Sequence, residues 1–146
     1  MPNAIHIEGL RELRASCKGG AAELVTELKA INKDAAEIVA RRAAQIAPTD
    51  KGRQDNHPTG LLRDSIRTGN QAARGVVMAG GATVPWAGPI HFGWSTRPNA
   101  AKGWRGGPIA PQPFLYDALD QKHDEVVRHY EEQVLAFNTR HFPEVT

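Results

Sequence analysis

Six histidines, a lone cysteine and a serine beside an aspartate are the side chains of this 146-residue sequence with an obvious capacity for chemistry. Histidines at i and i+4 on one helix face can hold zinc, but His123 and His129 are six apart and so do not share that geometry. His57 and His91 have no thiol close by in sequence, and the one carboxylate near either is Asp55, beside His57. Cys17 is the only thiol, so a disulfide or a thiolate cluster within one chain is excluded, and it reads as a small half-buried helix residue. Ser65, His91 and Asp64 could be written as a nucleophile, base and orienting acid, yet no strand-to-helix nucleophile elbow surrounds the serine. Gly19-Gly20 before a helix could cradle an anion, but the Gly-Lys-Ser/Thr signature of a nucleotide loop is missing. The expectation is therefore no catalytic residue, no cofactor and no metal.

Charge offers more than catalysis does. Residues 51–105 hold eight Lys and Arg against two Asp, a net +6, whereas residues 106–146 hold three against seven, a net −4. A basic middle and an acidic end let a chain pair with copies of itself, or let the middle approach a nucleic-acid backbone. Two ordinary solvated surfaces would give the same counts. Arg41-Arg42 is a single basic step on a helix of mixed charge, and no helix-turn-helix, zinc-finger or aromatic stacking motif accompanies it.

The elements that would position these residues follow from periodicity. Ile5-His6-Ile7 alternates and stops at Gly9, as a short edge strand does. Residues 21–47 place Leu24, Leu28, Ile31, Ala35, Ile38 and Ile46 on one stripe, which predicts a long helix ended by Pro48. That stripe must be covered, and the expected cover is a sheet from the middle of the chain. Residues 61–67, 75–79 and 86–94 read as two or three antiparallel strands separated by Thr68-Gly69-Asn70 and Gly80-Gly81. Residues 95–113 are rich in Gly and Pro and form a long loop framed by Trp94 and Trp104. From Phe114 to about residue 138 the helical pattern returns, with Asp117, Asp120 and Asp124 in its early turns, and residues 139–146 form a loose tail. The fold class expected is α+β: one domain over 1–146, with a long N-terminal and a C-terminal helix packed on a small antiparallel β-sheet. No apolar run reaches the roughly 20 residues of a membrane span, and the N-terminus lacks a signal-peptide core, so synthesis in the cytoplasm is expected.

Five short segments also resemble, in order, a family of tailed-bacteriophage neck proteins, called head–tail joining, tail-completion or minor tail proteins. They are Ile7-Glu8-Gly9-Leu10-Arg11-Glu12-Leu13, the long helix ending in Ala47-Pro48, and Thr59-Gly60-Leu61-Leu62-Arg63-Asp64-Ser65-Ile66, similar to the family's Thr-Gly-X-Leu-Arg-X-Ser-Ile. Phe92-Gly93 is similar to its Glu-Phe-Gly-Thr strand end. Pro111-Gln112-Pro113-Phe114-Leu115-Tyr116-Asp117-Ala118-Leu119 resembles its Pro-X-Pro-Phe-Leu-X-X-Ala-Leu helix start. Residues 49–58 are an insertion relative to that pattern, and His91 and Trp94 stand where the family has Glu and Thr.

The resemblance implies a structural virion protein without catalysis. It would be a homo-oligomeric ring, sixfold or a multiple, between the head-side connector or closure ring and the tail terminator or tail tube. The candidate interface residues are Trp94, Arg97, Lys102, Trp104 and Arg105 of the loop and Asp117, Asp120 and Asp124 of the C-terminal helix. Nonspecific contact with the genomic duplex in the channel is a further use of the basic middle. The alternatives are a tail terminator or head-closure ring, a nonspecific DNA-binding accessory protein, and, more remotely, an enzyme gathering His91, His57 and an acid.

Overall fold

The computed structural model describes residues 22–49, 60–69, 71, 74–94 and 108–143. Two long helices dominate, α1 (Ala22–Ile46) and α4 (Phe114–His141), and between them in sequence lie α2 (Leu61–Asp64), β1 (Arg67–Gly69), β2 (Val76–Met78) and α3 (Ala87–Phe92). The α+β class with two long helices and a small antiparallel sheet is what the periodicity implied. The N-terminal strand expected at residues 5–7, Cys17, Gly19-Gly20 and His57 lie outside the described residues.

The core is built chiefly between the helices. Ile31, Ala35, Ile38, Val39 and Ala43 of α1 are buried in one cluster with Phe114, Ala118, Val126, Tyr130 and Phe137 of α4. The expected cover for the α1 stripe was a sheet, but its principal partner is α4. Length explains the difference: a 25-residue helix is about 37 Å long, whereas a three-residue strand spans only about 10 Å. Among the described residues the sheet has two strands, with Thr68 opposite Val77 in antiparallel register, and it lies against α1.

Two segments expected as strands are helical instead. Residues 61–64 form α2, entered from Gly60 at φ 106°, so only Arg67 of that stretch joins the sheet, together with Thr68 and Gly69 of the expected turn. The stretch 86–94 folds as α3. Pro89 is the physical reason: a proline inside a strand removes a ladder hydrogen bond, but in the first turn of a helix its missing N–H costs nothing, because that group has no intrahelical partner there.

Turn geometry then brings α3 beside the sheet. The Ser65 hydroxyl donates to the Leu62 carbonyl at 2.6 Å and accepts the Gly80 N–H at 2.9 Å, and Arg67 Nη1 donates to the Gly80 carbonyl at 2.6 Å. Gly80 has φ 84°, and a Cβ there would stand 2.6 Å from that of Ala87. No side chain fits, which is how α3 comes to lie so close to the end of β2.

At the other end of the helix pair, Glu27 of α1 accepts from His141 Nε2 at 2.6 Å and pairs with Arg140, both in the last turn of α4. Cations at a helix C-terminus also complement its dipole. Phe142 N–H reaches back to the Asn138 carbonyl, and α4 runs three residues past the end that periodicity suggested.

Candidate functional site

The region most unlike an ordinary solvated surface is where α3 ends and α4 begins. Asp117 N–H donates to the Pro113 carbonyl as α4 starts, and Gln112 N–H donates to the Ile90 carbonyl, which ties the approach to α4 onto α3. Gly93 then turns the chain out of α3 at φ 78°. A Cβ there would sit 3.0 Å from Pro111 Cδ and 3.1 Å from the Ile109 carbonyl oxygen. That close approach lets Trp94 and Ile109 exchange both backbone hydrogen bonds, at 2.9 and 3.0 Å. The two-bond bridge closes the base of the excursion from 95 to 108.

His91 is buried, with 4% of its surface exposed. Its ring stands nearly perpendicular to three aromatic rings: Tyr116 at 4.5 Å, Phe92 at 4.6 Å and Phe114 at 5.2 Å between centroids. Neither ring nitrogen meets a hydrogen-bond partner among the described residues. Burial pushes the imidazole below its ordinary range, and the nearby Asp117 carboxylate offsets this only in part. The neutral ring is therefore the form this environment favours.

On a helix, successive side chains point about 100° apart, so burial of His91 turns Phe92 outward. Phe92 is 68% exposed and Trp94 39%, and the Phe92 ring lies 6.1 Å from that of Tyr116. Beside this patch begins the acidic face of α4. Asp117, Asp120 and Asp124 are all exposed, at i, i+3 and i+7, which is one side of a helix. Leu135 falls five turns further on that side, about 27 Å along the axis, and is 62% exposed. Asp124 is paired at 3.0 Å with its neighbour His123. Glu125 is held below the usual carboxylate range by its hydrogen bond from Lys122.

Of the residues expected at an interface, Trp94, Asp117, Asp120 and Asp124 are thus surface groups close to one end of α4. Arg97, Lys102, Trp104 and Arg105 lie outside the described residues. Phe92 and Leu135 were missed: Phe92 was read within an apolar strand, and only the helical reading of 87–92 would have turned it out, while Leu135 falls off the apolar stripe of α4 and was not singled out. The paper triad does not assemble: the Ser65 hydroxyl is engaged by Leu62 and Gly80, Asp64 pairs with Arg63 at 2.9 Å, and His91 is enclosed by rings. Among the described residues, no group of three or more His, Cys, Asp or Glu side chains is placed to hold a metal ion. None of the described helices is long and apolar enough to cross a membrane.

No protein-family model, curated protein or solved structure matches this chain.

Proposed function

We propose that the chain is a structural subunit of a tailed bacteriophage, forming a homo-oligomeric ring at the head–tail junction. In this reading it joins tail to head around the DNA channel, between the head-side connector or closure ring and the tail terminator or tube, and performs no catalysis. The observation that carries it is a pair of unlike exposed surfaces. One is the Phe92–Trp94 aromatic patch at the root of a basic Gly/Pro-rich segment, and the other is the acidic side of α4 ending in Leu135. Closed rings with heterologous contacts need two different, mutually complementary faces on each subunit. Aromatic side chains such as Phe92 and Trp94 are enriched in such contacts.

The motif order supports the same reading. Gly60 opens α2 and Pro113-Phe114 starts α4, so two of the segments that resemble neck proteins fall at junctions between elements, whereas Phe92-Gly93, similar to a strand end in that family, ends the helix α3. Labelling the protein in intact virions and imaging them tests the proposal. Label at the neck is expected; label confined to the tail tip or the capsid shell would refute it.

The second reading, a DNA-binding accessory protein, draws on the net +6 of residues 51–105. It requires duplex affinity that falls steeply with salt.

A further inference from the structure

We propose that His91 is an acid-sensitive latch that holds α3 against the start of α4 and thereby keeps the base of the 95–108 excursion closed. This does not depend on the head–tail reading. Four observations converge on it. The ring is almost fully buried. Its two nitrogens have no hydrogen-bond partner among the described residues. Three aromatic rings enclose it from both helices, Phe92 from its own and Phe114 and Tyr116 from α4. Finally, among the described residues, the backbone that the latch secures is tied by the Gln112–Ile90 bond and the Trp94–Ile109 pair.

A neutral imidazole suits such an enclosure, and an imidazolium does not, because a buried charge needs a partner or water. Among the described residues, Asp117 and Tyr116, both on α4, are the titratable groups that face His91. The carboxylate lies outside the ring enclosure on an exposed position, and its attraction is outweighed by burial. On protonation the favourable course is for the ring to leave the enclosure for water. Phe92 and Trp94 move with it, since they flank Gly93 at the same helix end.

The direction of the pH effect follows from linkage. Once released, the imidazole titrates near its ordinary value of about 6.5; enclosed, it titrates lower. Above the released value neither form binds the proton, and the latch has full strength. Between the two values only the open form binds it, so opening becomes up to about tenfold more favourable per pH unit. Below the enclosed value the loss levels off.

The test is amide hydrogen exchange on the whole chain between pH 7.5 and 4.5, with intrinsic rates corrected for pH, together with an NMR titration of the His91 ring. Protection at Trp94, Ile109 and Gln112 should fall up to about tenfold per pH unit below about 6.5, while amides around Phe137 keep theirs. His91→Phe should remove the pH dependence. Asp117→Asn, which takes away the offsetting charge, should move the ring titration still lower. A His91 titration at or above about 6.5 in the native chain overturns the proposal without recourse to any variant. So does equal loss of protection in the native chain and in His91→Phe.

Discussion

Tyr130 carries its hydroxyl into the core, where it meets no hydrogen-bond partner among the described residues, and burial raises its ionisation to about 12. An unsatisfied buried hydroxyl costs about 1–3 kcal/mol, so Tyr130→Phe should leave stability unchanged or raise it by about 1 kcal/mol in denaturant unfolding. The sign of its pH dependence is fixed as well. The folded state holds the phenol proton longer than the unfolded chain, whose tyrosine titrates near about 10. That part of the stability is complete below the unfolded value and is lost as pH rises towards about 12. The Phe variant should lack this alkaline component. Ser65 is the opposite case, since its one hydroxyl serves both the Leu62 carbonyl and the buried Gly80 N–H. Ser65→Ala orphans that N–H and should cost about 1–3 kcal/mol, measurable by the same unfolding experiment.

Among the elements, the two long helices were legible because each carries an apolar stripe many turns long. Leu28, Ile31, Ala35 and Ile38 are buried where the 3.6-residue period puts them. The short elements were not, because four to six residues fit either period and only a local cue decides. Pro89 was that cue in α3 and was outweighed by the apolar run Trp86 to Trp94. Which neighbour covers α1 was also unreadable, since a stripe specifies an apolar partner and not its secondary structure. At the candidate site, Trp94 and the three aspartates were legible as surface groups from the Trp-framed loop and the early-turn acids. The enclosure of His91 was hidden, because it depends on Phe114 and Tyr116, more than twenty residues away in sequence. The helix pair is fastened at its far end by Glu27, Arg140 and His141. Glu27 is more sheltered than Arg140 and His141, so Glu27→Ala should cost about 1 kcal/mol. It should also speed amide exchange in the last turn of α4 while leaving the Trp94–Ile109 bridge unaffected.

At the scale of the whole molecule, the core rests on contact between α1 and α4, and Phe137 is fully buried within it. Phe137→Ala should cost about 3–5 kcal/mol, a large share of the about 5–15 kcal/mol that stabilises a typical domain, and should therefore abolish assembly by unfolding the subunit. Surface variants separate assembly from folding. Leu135→Glu and Asp120→Lys change exposed positions outside the His91 enclosure, so they should leave the unfolding midpoint nearly unchanged while preventing ring formation. The central claim, that this chain is a ring subunit of the head–tail junction, is tested most directly by particle mass. Light scattering would be run on the purified chain alone and after mixing with phage tails assembled without it, followed by electron microscopy of the tail ends. The account predicts a ring, either free or formed on the head-proximal end of the tail. A chain that remains monomeric, leaves those tail ends bare and instead binds duplex DNA with steep salt dependence would contradict it.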